Sequence, residues 1–281
     1  MKRINTFFVI TALTLAVFTS CDKDFDANSE RSVRDKFFVD KIYDYHDNLL
    51  AEYIYDGNKL IKRIITVLYV HPIRTDDIRS EDKFEYKNGR VSKIITNTLS
   101  HTEFHEYGFE TRDNYHSETT FDYNSKGILL KVDGQDLNFH YKNGRVVSIG
   151  NNEKPYINTI IYDNSGNIIE HIYICPELNM FGQPIEGTTQ RVVYNYEYDD
   201  KPQPNFGLDY LFAFQPLPQM GTETGYAREL SNNNLTKYVN SGTTWSYTYN
   251  EHGLPETIET KWKDIETLEP MLMKITYRQI K

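Results

Sequence analysis

A short segment with two histidines and a glutamate is the strongest candidate for metal chemistry in this sequence: His101-Thr102-Glu103-Phe104-His105. Zinc proteases of the HExxH type carry the glutamate directly after the first histidine, on a helix, and this segment does not. On a β-strand the two histidines would point the same way but lie about 13 Å apart, too far to share one ion. We interpret them as solvated histidines, and we expect neither a metal nor a cofactor.

Three acidic residues, Glu197, Asp199 and Asp200, are the candidates for acid–base chemistry. Acids are common in this chain, with 40 Asp and Glu in 281 residues, so strand-end and turn roles are the first interpretation. The alternative is a glycan-active hydrolase with an acidic site near residues 197–214. That hypothesis predicts a concave pocket with two suitably spaced carboxyl groups, at least one of which has a raised pKa.

Nucleophile and cofactor motifs are absent from the sequence. Cys175 follows a β-like run that begins at His171, and this context predicts a small buried residue rather than a nucleophile. The chain contains no glycine-rich phosphate loop, serine nucleophile elbow or paired CxxC. We therefore expect a protein that is not an enzyme.

Aromatic side chains are the remaining candidates for ligand contact. Trp245 shares a strand face with Tyr247 and Tyr249, which predicts a core position, whereas Trp262 between two lysines is the better surface candidate. A proline-flanked apolar segment also contains candidate aromatics: Tyr210, Phe212 and Phe214. It predicts either a plug, with a short helix around 207–214 that covers an open end of the sheet, or a loop that presents aromatics to a ligand.

The architecture is indicated by a repeat. Tyr86-Lys87-Asn88-Gly89-Arg90-Val91 recurs identically at 141–146, and looser copies of the tyrosine–glycine pattern begin at Tyr53, Phe121, Ile160 and Tyr247. Asn and Gly tolerate the positive φ angles of tight turns, so each copy predicts a β-hairpin. A two-residue Asn88-Gly89 loop would place Lys87 opposite Arg90, so we favour a three-residue loop with Gly89 in a bulge.

Between these turns, apolar and polar residues alternate with the two-residue period of strands. The sequence predicts an all-β fold: a long, strongly twisted antiparallel meander of repeated hairpins, rolled into an open barrel or half-shell. A proline-rich and aromatic insertion at 199–240 interrupts the rhythm, with a short helical or loop segment near 200–235. Within it we expect a flexible Gly221–Gly225 stretch and a polar turn over Glu229–Leu235.

The N-terminus has the order of an export signal, with Lys2 and Arg3 before an apolar run and small residues before Cys21. This order predicts a lipoprotein signal peptide at 1–20, a lipid on Cys21, a flexible acidic tether at 21–35 and one β domain at 36–281. Loss of the two basic residues changes the formal charge from −9 to −11. An acidic surface disfavours nucleic acid, so the expected partners are the membrane, through the lipid, and a glycan or envelope protein.

The Tyr-x-x-x-Gly hairpins resemble the YD repeats of Rhs-type proteins. Together with the lipoprotein signal, they resemble Bacteroidetes lipoprotein domains of unknown function that are built from such repeats. The resemblance covers residues 38–281 and implies an outer-membrane lipoprotein, exposed on the cell surface or alternatively facing the periplasm. The sequence thus favours a non-catalytic binding or structural module, with the hydrolase as the alternative.

Overall fold

The computed structural model describes residues 33–70, 73–133, 135–136, 138–151, 154–180, 183, 185–208, 225–263 and 271–280. The signal peptide and Cys21 lie outside this range, as do the candidate aromatics Tyr210, Phe212 and Phe214. Ser32–Lys281 form one compact unit. A single 3-10 turn, Val33–Lys36, precedes the first strand.

The regular secondary structure of the described residues is almost entirely β-strand. The first half of the chain contains β1 (Phe37–Asp44), β2 (Leu49–Asp56), β3 (Lys59–Val70), β4 (Arg74–Lys87), β5 (Arg90–Phe104), β6 (Phe109–Tyr123), β7 (Leu129–Val132), β8 (Gln135–Asp136) and β9 (Asn138–Lys142). The second half contains β10 (Arg145–Asn151), β11 (Lys154–Tyr162), β12 (Ile168–Cys175), β13 (Gln190–Pro202), the helix α1 (Gly225–Leu230), β14 (Asn233–Tyr238), β15 (Thr243–Tyr249), β16 (Pro255–Lys261) and β17 (Met271–Gln279).

These strands form a nearly closed antiparallel barrel. Among the described residues, consecutive strands pair with one another except β8 and β9, and β1 pairs with both β2 and β17, so the two ends of the domain meet. Only residue 137 separates β8 from β9, and counting these two as one interrupted strand gives a sheet of 16 strands. Among the residues that the structure describes, β8 pairs with β7 and β9 with β10, which leaves one unsealed seam. The predicted all-β antiparallel meander is confirmed.

The turn register corrects our expectation for the identical hexapeptides. Lys87 pairs directly with Arg90, and Asn88 and Gly89 have φ angles of 52° and 79°, so the loop has two residues rather than three. The predicted bulge occurs instead within the ladder, where the register shifts between Glu85 and Tyr86. The like-charge contact is relieved because the Arg90 guanidinium turns away, to 5.8 Å from the ring centroid of Tyr123 on β6.

The repeated tyrosines connect each strand to the one before it. Their hydroxyl groups donate to backbone carbonyl oxygens of the preceding strand at 2.6–3.0 Å: Tyr55 to Val39, Tyr86 to Leu60, Tyr162 to Val146, Tyr247 to Leu235 and Tyr277 to Pro255. The repeated arginines act in the other direction. Arg145 lies over the ring of Tyr162 on the next strand and donates to the carbonyl of Gly166 at 2.6 Å. The repeat is therefore a hydrogen-bonding unit as well as a turn signal.

The barrel has two different ends. The turns at one end, which we call the glycine end, contain the repeated glycines with positive φ: Gly57, Gly89, Gly127, Gly144, Gly166 and Gly253. β1 starts and β17 finishes at this end. The opposite end, the far end, carries the connections that follow β1, β3, β5, β12 and β14.

The described helix lies within the segment near 200–235 that was predicted to be helical or loop, but not at 207–214. α1 occupies 225–230 at the glycine end, where we expected a flexible stretch followed by a polar turn, and β14 begins at Asn233. Gly207 and Leu208 are not helical, and the rest of the predicted 207–214 helix lies outside the described residues. The expectation of a polar turn over 229–235 was wrong because Ala227 and Leu230 are buried against the barrel, and this burial stabilises a helical turn.

Candidate functional site

Apolar side chains from many of the described strands form a buried core in the barrel. Val39, Ile42, Leu60, Ile168 and Met273 are fully buried there. Trp245 is also buried, as predicted, and so is Cys175 at the end of β12. These buried side chains are apolar, so charged groups buried among them are the exceptions that need explanation.

One buried ion pair crosses the interior face of β3 and β4. Nε and Nη2 of Arg63 donate to Oδ2 of Asp82 at 2.8 and 2.6 Å, and the hydroxyl of Thr96 donates to Oδ1 at 2.7 Å. Both charged side chains are 4 % exposed. Both carboxylate oxygens of Asp82 accept hydrogen bonds within this group, so we interpret the pair as structural.

Helix α1 carries two further charged residues into the protein, and sequence reasoning missed both. Arg228 stacks over Trp245 with its guanidinium 4.5 Å from the ring centroid. Burial raises the pKa of Glu229 well above its ordinary value, against the opposing attraction of Arg63. A glutamate in a polar run is expected to be exposed. The burial of Glu229 follows from the packing of α1 against the barrel, which the sequence alone does not indicate.

The acids that the hydrolase hypothesis singled out have structural partners. Asp199 accepts hydrogen bonds from the Tyr249 hydroxyl and from the backbone and side chain of Asn234. Glu197 forms an exposed ion pair with Lys237 at 2.9 Å, and Asp200 lies at the surface. The carboxyl group with a raised pKa, Glu229, does not belong to this cluster.

Four strands extend past the barrel at the far end and form what we call the ribbon. β2 pairs with β3 only as far as Ile65, and β7 pairs with β6 only from Phe121. Beyond these points, residues 66–70, 74–80, 97–104 and 109–119 pair, among the described residues, only with other residues of β3 to β6. Both faces of the ribbon meet solvent: Leu68, Leu99 and Tyr115 are 60, 56 and 59 % exposed.

An open groove of about 530 Å³ lies on one face of the ribbon, which we call the groove face. It is lined by Thr66, Asp77, Arg79, Leu99, Ser100, His101, Arg112 and Asp113. Nε2 of His101 lies 2.8 Å from Oε2 of Glu110, and hydrogen bonding to His101 together with the nearby Arg112 lowers the pKa of that carboxyl. The groove thus combines an apolar centre, Leu99, with several hydrogen-bond donors around it.

The tip of the ribbon is aromatic. Phe104 and Phe109 stack with ring centroids 4.6 Å apart, and Tyr107 packs against Phe109 at 6.2 Å. Tyr107 is 70 % exposed in the turn between β5 and β6. Exposed aromatic rings clustered at a loop tip are characteristic of contact surfaces.

The two histidines of the metal candidate have separate partners. His101 contacts Glu110, whereas Nε2 of His105 lies 3.0 Å from the hydroxyl oxygen of Thr75. Among the described residues, no group of three or more His, Cys, Asp or Glu side chains is placed to hold a metal ion.

Of the predicted ligand-contacting aromatics, the structure describes Trp262 alone. This residue directly follows β16 and is half-buried at the far end, the end from which the ribbon projects. Sequence reasoning did not find the ribbon, although a signal was present: Glu110–Glu118 contain one large apolar side chain, Tyr115, whereas a strand that covers a core carries apolar side chains along one face. No helix among the described residues has the length and apolar character to cross a membrane.

Comparison with known proteins gives a fold-level likeness only. No protein-family model matches the chain, and no curated protein matches it. Among solved structures, a porin-like protein from Bacteroides vulgatus aligns over 86 % of this chain and 99 % of its own, with 13 % identity and a TM-score of 0.37. A TcdB2–TccC3–TEV structure aligns over 79 % of this chain and 16 % of its own, with 11 % identity and a TM-score of 0.21. Since both scores are low, the barrel rests on its own strand pairing.

Proposed function

We propose that this protein is a non-catalytic, lipid-anchored binding module of the outer membrane, exposed at the cell surface, and that its ribbon binds a glycan. The observation that carries the proposal is the departure of four strands from the barrel with both faces in water. A sheet is normally stabilised by burying one face, and the ribbon buries neither. An extension of this kind adds contact surface rather than core.

The groove and tip support a glycan as the ligand. Sugar rings offer hydroxyl groups to hydrogen-bonding side chains and apolar faces to aromatic rings. Arg79 and His101 supply hydrogen-bonding groups around Leu99, while Tyr107 and Phe109 supply aromatic surface at the tip. A small-ligand site usually combines an apolar patch with a few polar groups that point towards the ligand.

The position at which the chain enters the barrel is compatible with a lipid anchor and a ligand site on the ribbon. A lipid on Cys21 would reach the barrel through the tether and β1, which starts at the glycine end. The ribbon projects from the opposite end of the strands. The start of the β domain and the proposed binding surface therefore lie at different ends of the barrel.

The test is a binding titration of the purified chain against a panel of bacterial and host polysaccharides, using calorimetry. Arg79→Ala and Leu99→Ser each remove a groove contact and should weaken binding about 10-fold, which corresponds to about 1.4 kcal/mol. Thr111→Ala, an exposed change on the opposite face of β6, is the matched control and should leave affinity unchanged. Binding that is indifferent to both groove variants, or no binding across the panel, would contradict the proposal.

A further inference from the structure

The ribbon has an open backbone edge along β6. β5 pairs with β6 on one side, from Phe104 opposite Phe109 to Lys93 opposite Thr120, without a register shift. On the other side, the described residues provide a partner strand only from Phe121 onward. Phe109–Glu118 are solvent-exposed throughout, and this stretch contains neither proline nor lysine, two residues that commonly protect sheet edges.

The residues that direct their backbone groups outward can be identified. The amide of Thr120 donates to Oδ1 of Asp133 at 2.8 Å, and the carbonyl of Thr120 accepts from the amide of Asp133 at 3.0 Å. Both groups of Thr120 therefore point away from β5. Because backbone groups alternate in an unshifted antiparallel ladder, those of Arg112, Asn114, His116 and Glu118 also point outward.

We propose that this edge pairs with the same edge of a second copy of the chain, antiparallel, about a twofold axis at Tyr115. In this register Arg112 lies opposite Glu118 of the second copy, and Asn114 lies opposite His116 of the second copy. Symmetry produces each contact twice. The arginine adds a second cation to a carboxylate that already contacts Lys93 at 2.6 Å, and opposite charges across a ladder stabilise the pairing.

Charge disfavours the two neighbouring registers that shift the axis towards the ribbon tip. An axis at Asp113 would place the two Asp113 carboxylates directly opposite each other. An axis at Asn114 would place Glu110 opposite Glu118. Each alternative sets like charges face to face, which destabilises a ladder, so a second copy with the axis at Tyr115 is the partner that fits the edge.

The pairing would produce one continuous eight-stranded sheet. The axis is perpendicular to the sheet, so the same face of both ribbons is presented on the same side. Side chains of Leu99, His101 and Arg112 lie on this groove face, and two grooves would therefore stand side by side. The dimer does not depend on what the grooves bind.

Disulfide trapping tests the register. In a chain with Cys21→Ser, the remaining natural cysteine is Cys175, which is buried. Tyr115→Cys would place two thiols at a non-hydrogen-bonded pair with Cα atoms about 4.5 Å apart, within disulfide range. We expect this variant to form a cross-linked dimer under mild oxidation. Asp113→Cys and Ser117→Cys should each fail alone and cross-link only when the two variants are mixed.

Sedimentation supplies an independent measurement. The wild-type chain should sediment as a dimer, Arg112→Glu as a monomer, and Arg112→Glu combined with Glu118→Arg as a dimer again. A wild-type monomer at all concentrations, or cross-linking by Asp113→Cys alone, would overturn the proposal. Neither result would bear on glycan binding by Arg79 and Leu99, so the two proposals fail separately.

Discussion

The same four strands, β3 to β6, cross two environments, and the contrast shows what makes part of a sheet into a core. Near the glycine end, their inward side chains Phe84, Ile94 and Phe121 are buried against the rest of the barrel. In the ribbon, Tyr115 lies on the same face of β6 as Phe121 but remains largely exposed. The backbone pairing is uninterrupted between the two parts, so it is the layer opposite the inner face that differs.

The barrel part and the ribbon part of β3 to β6 are therefore stabilised by different interactions. In the barrel half, burial of apolar surface contributes about 25 cal/mol per Å². In the ribbon, cross-strand pairs such as Ser80 with Thr98 at 3.0 Å contribute about 0.2–1 kcal/mol each. We therefore expect the barrel half to be sensitive to single substitutions and the ribbon to tolerate them.

The largest contrast should come from two neighbouring acids on β4. Asp82→Asn removes the charge that neutralises buried Arg63 and should lower the free energy of unfolding by about 3–5 kcal/mol. Glu81→Gln, whose partner Lys62 lies at 2.7 Å on the outer face, is the matched control and should change stability little. Urea unfolding measures both. Equal losses of stability in the two variants would contradict the difference between the buried Arg63–Asp82 pair and the Lys62–Glu81 pair on the outer face.

The stability of the barrel, unlike that of the ribbon, should depend on pH through the buried His171 on β12. Its Nε2 lies 2.8 Å from Oδ1 of Asn158 and its ring packs between Tyr194 and Tyr226. Burial lowers the pKa of His171 from 6.5 to about 4, so the unfolded chain binds the proton first as pH falls. Stability associated with the neutral ring is complete above about pH 6.5 and is lost as pH falls towards 4, by up to about 3 kcal/mol.

The measurement is urea unfolding of the wild-type protein and His171→Gln across this pH range. The difference between the two stabilities should shrink as pH falls, since the variant has no ring to protonate. Subtracting the curves also removes the contribution of Glu229, whose raised pKa acts in the opposite direction. A difference that is constant from pH 7 to pH 4 would contradict the burial of His171.

The smallest expected effect separates a repeat tyrosine from a ribbon tyrosine. Tyr86→Phe removes the hydroxyl that donates to the Leu60 carbonyl at 2.8 Å and should cost about 0.5–1.5 kcal/mol. Tyr115→Phe removes the hydroxyl of an exposed ring and should leave the unfolding midpoint unchanged. If both variants were neutral, the repeated tyrosines would be packing residues rather than connections between strands.

Much of the local structure could be predicted from particular residues. Asn88-Gly89 and Asn143-Gly144 predicted turns because few other residues adopt positive φ at low cost, and all four have positive φ in the structure. The run that contains Trp245 predicted a buried strand face through its two-residue alternation. The copy that begins at Ile160 has one more residue between its tyrosine and its glycine than the identical hexapeptides, and in its turn the amide of Asn167 donates to Oδ1 of Asp163 at 2.8 Å.

The tertiary structure decided the features that depend on residues distant in the chain. Lys87 and Arg90 were expected to exclude a two-residue loop, but Tyr123 on another strand receives the guanidinium. Burial of Glu229 depends on where α1 docks, and the meeting of β1 with β17 joins residues more than 200 positions apart. Local sequence determines turns and alternation because these need only neighbouring atoms. Which alternating strands become a core, and which remain a ribbon in water, depends on what packs opposite them.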